Sequence, residues 1–258
     1  MVWCRQCGLV YRSSLSGAGE GSEDHSGVEE DKWLAERRSG NFRRLLDGWD
    51  GPPGKLLDVG CGYGWFLQLA RERGWDAVGV DVSLRAVRHA RDRLGVPAFC
   101  GDLKSCRFPD GAFALVTLWN MLEFVPDPVE LLEEIRRVLR PGGTLFLRTQ
   151  NFVFQRLSFL LTRWARRPQW PYRPFVFHVN SFSPASIRFL FRRTGFVALK
   201  VANSPPTWGD PYRAFGGADH LLAAVKLGVH SLAQALYVLS GGRWILGASL
   251  ESYARPEG

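Results

Sequence analysis

Apolar and polar positions in this chain switch repeatedly between a short-run pattern and a helical one. Compact apolar runs bounded by glycine, proline or acid stand at 55–59, 77–81, 98–100, 114–118 and 145–149, each the length of a buried strand. Between them the apolar residues recur at helical spacing: Trp65, Phe66, Leu69 and Ala70 through 73, then 84–94, then 129–139. Strand and helix alternating in this way predict an α/β fold, a mostly parallel sheet with helices on both faces. A helix over 28–49 precedes the first strand and offers Trp33, Leu34, Phe42, Leu45 and Leu46 to one face. Beyond 150 the pattern predicts a basic amphipathic helix over 152–167 and a helix capped by Ser183-Pro184 that runs to 193. It then predicts a strand over 196–201, an apolar helix over 221–239, and a last strand over 245–253 antiparallel to 196–201. In the apolar helix, Lys226, His230 and Gln234 form one narrow polar stripe, so the helix is expected to be buried, dimer-forming or partly inserted in lipid.

The first strand runs into Asp58-Val59-Gly60-Cys61-Gly62-Tyr63-Gly64-Trp65 and then into a helix. Glycines let backbone approach a ligand closely, and free amides at a helix start favour a ligand's negative end. On a doubly wound sheet such a turn marks a nucleoside cofactor site. A dinucleotide fingerprint would place glycine at position 65, where Trp65 stands, and a phosphate loop would need Lys after Gly64. Asp81 closes the second strand 21 residues after Gly60, the separation at which a carboxylate meets both hydroxyls of a ribose. Asp102 closes the third strand and reads either as a ligand contact or as a turn cap.

The D-V-G-x-G-x-G stretch at 58–64, Asp81, Asp102 and the L-R-P-G-G stretch at 139–143 follow one another in an order that resembles class I S-adenosylmethionine (SAM)-dependent methyltransferases. The order of elements closely resembles type 11/12 methyltransferase domains, which include ubiquinone-biosynthesis O-methyltransferases; the resemblance is strong over 56–151 and moderate over 178–196. The resemblance implies a Rossmann-like, seven-stranded, mostly parallel sheet and SAM as cofactor. It implies that Asp58, Gly60, Cys61, Gly62 and Gly64 hold the methionine and adenosine portions, Asp81 and Val82 the ribose, Asp102 and Leu103 the adenine. Asn120 would line the methyl end. Glu123 and His178 are the candidate catalytic residues; His178 suits a general base, because imidazole titrates near neutrality, and a structural hydrogen-bonding role is the other reading. The sequence departs from the family at Ala114, where an acid is usual, at Phe124, where His is common, and at Ser181, which replaces a second His.

Composition refines this picture. At 258 residues, 46% hydrophobic and 22% charged, the chain suits one globular α/β domain with appendages. Domain organisation is expected as a partial zinc-ribbon-like knuckle over 1–12, a flexible linker over 13–30 and a methyltransferase domain over 31–258, with lid or insertion segments at 152–177 and 203–243. Cys4-Arg5-Gln6-Cys7 supplies half of a tetrahedral site and no second pair accompanies it, so no metal is expected. Five unevenly spread cysteines and a start without an apolar run point to a cytoplasmic location.

The net charge of +8 is uneven: residues 151–258 carry thirteen basic and four acidic side chains. That half is expected to face an anionic surface or substrate, with peripheral membrane contact through 152–167 and 219–239 at the inner membrane face. The partners expected are a small-molecule or lipid-linked acceptor, with O-methylation favoured, and a second copy in a homodimer. A nucleic-acid methyltransferase is disfavoured because Asn120-Met121-Leu122-Glu123 stands where a [DN]-P-P-[YF] element would grip a base. A non-catalytic SAM-binding scaffold is the remaining alternative, motivated by Phe124 and the half knuckle.

Overall fold

The computed structural model describes residues 2–11, 28–164, 179–207 and 219–257. A short hairpin, β1 (Val2–Trp3) and β2 (Val10–Tyr11), is followed by α1 (Val28–Asp47). Then come β3 (Lys55–Val59), α2 (Trp65–Glu72), β4 (Asp76–Asp81), α3 (Leu84–Asp92), β5 (Ala98–Cys100) and β6 (Phe113–Trp119). A 3-10 turn at Leu122–Phe124 leads to α4 (Pro128–Val138), β7 (Leu139–Gln150) and α5 (Phe152–Trp164). The chain closes with β8 (Asn180–Ser181), α6 (Pro184–Arg193), β9 (Phe196–Asn203), α7 (Asp219–Leu239) and β10 (Ser249–Pro256).

Seven strands form one sheet in the order β5-β4-β3-β6-β7-β10-β9. β5, β4, β3, β6 and β7 are mutually parallel, and β10 lies antiparallel between β7 and β9. Two antiparallel steps make β9 parallel to β7, so β10 is the one reversed strand of the seven. The central strands are mostly apolar because both faces are covered. On one face Phe42 of α1, Phe66 of α2 and Trp119 pack together with ring centroids 4.7–5.2 Å apart. On the other, Leu132, Ile135 and Val138 of α4 and Ile187 and Phe191 of α6 lie fully buried against the sheet. Asp127 caps α4 by accepting from the Val129 and Glu130 amides, and Ser183 caps α6 in a reciprocal box with Ser186.

Two expectations are corrected. The fifth strand begins at Leu139 rather than after the Pro-Gly-Gly turn, because Leu139 pairs with Phe113 and a register shift absorbs the two glycines. The last strand is Ser249–Pro256, not 245–253: the Ile245 and Gly247 carbonyls accept from the Asn151 side chain and the Gly247 amide donates to Asn203 Oδ1, so these groups do not join the ladder. The hairpin at the chain start has a partner that no short-range pattern announced, since β2 pairs antiparallel with β8. The turn between β1 and β2 carries both thiols. Amides of Cys7 and Gln6 directed at Cys4 hold its thiol below the ordinary range, while burial pushes the Cys7 thiol up. Among the described residues no group of three or more His, Cys, Asp or Glu gathers as a metal site. The helix expected over 152–167 is described as far as Trp164, and the segment around His178 lies outside the described residues.

Glu251 on β10 joins α1 to the sheet. Its carboxylate is 2% exposed and accepts from the Arg44 guanidinium and from Lys200 Nζ at 2.9 Å. Both cations are partly exposed and reach water without it. Glu251→Gln, which removes the charge and turns an amide donor toward the cations, is expected to cost about 1–3 kcal/mol, read as a lower urea midpoint with an unchanged slope.

Candidate cofactor and active site

The parallel strands and β9 end at one edge of the sheet, and the candidate cofactor and catalytic residues that the structure describes lie at or just under this edge. The glycine loop leaves β3 with Gly60 at φ +76°, Gly62 at +52° and Gly64 at +90°, all left-handed. A Cβ on Gly60 would stand 2.5 Å from Met121 Cγ, and one on Gly64 would stand 2.8 Å from Ala90 Cβ, so the loop closes this tightly only without side chains. Cys61 contributes backbone: its amide donates to the Val80 carbonyl at 3.1 Å and its buried thiol packs toward Gly79. α2 starts at once after Gly64 with no side-chain cap and no acid in its first turn. Its leading amides therefore face the edge as donors for an anionic group.

Asp81 holds the loop from the side. Its Oδ2 accepts from the Gly62 amide at 2.8 Å and its Oδ1 from the Ser83 amide at 2.9 Å, which leaves a half-buried carboxylate beside the loop. Val82 next to it is an exposed apolar side chain, and the Gly101 amide donates to the Asp81 carbonyl at 3.0 Å, bringing the β5 tip alongside. At that tip Asp102 is exposed and accepts from the Ser105 amide at 2.6 Å. The Ser105 contacts hold its carboxyl below the usual range. Leu103 is buried.

Asp58 behaves differently from its neighbours. It is 2% exposed, and Thr117 on the adjacent strand β6 donates to its Oδ1 at 2.7 Å. Burial pushes its pKa up to about 8, the Thr117 bond opposes this, and the nearby Asp81 charge adds to it. Its side chain ties β3 to β6 under the loop.

The edge beyond β6 holds a second polar cluster. Asn120 sits at φ +54°, with its amide donating to the Arg148 carbonyl at 2.8 Å. The Arg148 side chain, 5% exposed, donates to Asn120 Oδ1 and to Ser204 Oγ. Glu123, 1% exposed, accepts at Oε1 from the Gln150 amide at 2.8 Å and from Asn120 Nδ2 at 3.5 Å. Its Oε2 is buried with no hydrogen-bond partner among the described residues.

This arrangement fits SAM. The uncapped α2 start suits a carboxylate, the Asp81 carboxylate suits a ribose diol, and the exposed Asp102 carboxylate at the β5 tip suits an exocyclic amine. Comparison with known families decides the matter: a methyltransferase domain family matches residues 31–201, two thirds of the chain. The chain belongs to that family. Its fold and cofactor are those of the class I SAM-dependent methyltransferases. A ubiquinone biosynthesis O-methyltransferase of Methylococcus capsulatus is 36% identical over 104 residues, covering 38% of this chain and 44% of that protein. The chain thus matches less than half the length of this curated relative. Among solved structures, a SAM-dependent methyltransferase of Thermotoga maritima superposes with a TM-score of 0.58 at 19% identity, covering 90% of this chain and 96% of the other. One from Mesorhizobium loti gives 0.55 at 20% identity, covering 85% and 97%.

Within this methyltransferase the structure brings together ten of the twelve residues named from sequence around the loop, the β4 and β5 tips and Asn120. Glu123 joins them through Asn120, and His178 lies outside the described residues. Sequence reading missed Thr117 and Arg148. Each left a signal, a hydroxyl and a charge inside otherwise apolar strands, which a buried sheet tolerates only with partners.

Proposed function

We propose that this methyltransferase acts on an oxygen of a small-molecule or lipid-linked acceptor. The observation that carries the cofactor half is the Asp81 carboxylate held against the Gly62 amide beside an uncapped helix start. The acceptor half is supported by the partial likeness to ubiquinone biosynthesis O-methyltransferases. Bound SAM supplies an electrophilic methyl group on a sulfonium. The remaining work is positioning and exclusion of water, which can provide most of the acceleration of an in-line transfer.

In this reading the loop Gly60–Gly64, Cys61 included, takes the methionine end and Asp81 with Val82 takes the ribose. Asp102 and the Leu103 amide take the adenine. Asp58 sets the loop from beneath. Asn120, locked by Arg148, lines the methyl end. Glu123 positions Asn120 and the end of β7 through its Oε1. His178 takes the acceptor proton.

The test is transfer of labelled methyl from SAM to polar and lipid extracts, with the product's methylated atom assigned by mass spectrometry. A methyl ether or ester is expected. His178→Ala should lower kcat by about 10²- to 10⁴-fold with SAM affinity unchanged. Transfer to nitrogen or carbon, or SAM binding without any turnover on these extracts, would overturn the proposal.

A further inference from the structure

α7 is built inside out. Its polar stripe, Lys226, His230 and Gln234, lies on the less exposed face with Ala233 and Tyr237, turned toward the protein. Asn203 Nδ2 donates to the Ala233 carbonyl at 3.1 Å, and His230 lies within the fields of Glu251 and Arg44, so the stripe meets the ion network on the sheet. The opposite face is apolar and open to solvent: Leu232, Val238 and Leu239 are 63%, 67% and 83% exposed, with Val225 and Leu227 beside them. Trp244, also exposed, follows next to exposed Arg243. An exposed apolar helix face of this kind marks an interaction surface.

Its position and surroundings indicate the partner. α7 leaves after β9 and returns before β10, both at the edge that carries the glycine loop. The return segment is fastened to the active-site end of β7 by the Asn151 amide, which donates to the Ala248 carbonyl at 3.0 Å. α5 starts from the same edge and exposes Leu157 and Leu160 next to Arg156. The half of the chain that builds both helices carries the thirteen-to-four basic excess. Exposed apolar side chains, exposed Trp244 with Arg243 beside it and a basic half of the chain match the interface of an anionic bilayer, where aromatic rings and cations settle at headgroup level. No helix among the described residues is long and apolar enough to cross a membrane, so the contact is one of a docked ridge.

We infer that the outward face of α7 with Trp244 docks this protein onto anionic lipid bilayers, holding the cofactor edge at the membrane surface. The surface does not depend on the acceptor or on methyl transfer, and its test is independent of both.

The experiment is flotation of the full chain with vesicles of phosphatidylcholine alone or mixed with phosphatidylglycerol. It compares wild type with a Leu232→Glu/Val238→Glu variant and with Trp244→Ser. Wild type is expected to float with the anionic vesicles, and the double variant to bind on the order of tenfold more weakly. Calorimetry with SAM and thermal melting should be unchanged, since the substituted side chains face water. Absence of flotation with the anionic vesicles, equal flotation with neutral ones, or undiminished binding of the double variant would overturn the inference. So would light scattering that shows a wild-type dimer dissociated by the same substitutions, which would assign the ridge to a second copy.

Discussion

Asp81→Ala is expected to abolish measurable SAM binding in calorimetry, a loss of at least about a hundredfold. Two hydroxyls donating to one carboxylate are charge-assisted bonds, each contributing roughly 1.5–3 kcal/mol, and alanine removes both. The same substitution frees the Gly62 and Ser83 amides, so a loop effect must be separated from a ribose effect. A 2′-deoxyribose analogue of S-adenosylhomocysteine makes the separation. Wild type should bind it clearly more weakly than the parent compound, whereas any residual binding by Asp81→Ala should be equal for the two. A wild type indifferent to the missing hydroxyl would remove Asp81 from the ribose. Asp81→Asn, which keeps an acceptor for Ser83 but loses the charge, should fall between.

That position was legible because it rests on spacing alone: a glycine loop, one helix and one strand fix where the next carboxylate emerges. The five parallel strands were legible for a related reason. Gly, Pro or Asx breakers separate runs of one period from runs of another, so each element announces itself locally. The failures share a different cause. β2 and β8 are two-residue strands that pair across most of the chain, Val10 with Ser181 and Tyr11 with Asn180. Arg148 stood out as a charge in a buried strand, but its partners Asn120 and Ser204 lie 28 and 56 positions away. α7 is the most instructive case. Periodicity located its polar stripe correctly and could not tell which side is water, because the usual answer assumes that polar groups face solvent. Here the stripe faces the protein, with His230 within the fields of Glu251 and Arg44, and the apolar face is left outward.

Asp58 gives the second large effect, because its carboxyl is read best through stability. From sequence it was a ligand residue like its neighbours; in the structure it is enclosed with Thr117, and its folded pKa of about 8 stands far above the unfolded value of 3.8. Between these two values the folded protein retains a proton that the unfolded chain has lost. Stability is therefore full below pH 3.8, falls as pH rises, and levels off above pH 8, by up to about 1.4 kcal/mol per pH unit within the window. Asp58→Asn is neutral throughout and keeps an oxygen to accept from the Thr117 hydroxyl. Measured as urea-derived stability of the ligand-free protein from pH 5 to pH 8, the variant should gain on wild type steadily, by a few kcal/mol in all. Other titrating groups are common to both proteins and cancel in the difference. A constant gap across this range would mean that Asp58 is already ionised in the fold, with the Thr117 hydroxyl and loop amides solvating its charge, and would return it to the set of residues that meet the cofactor directly.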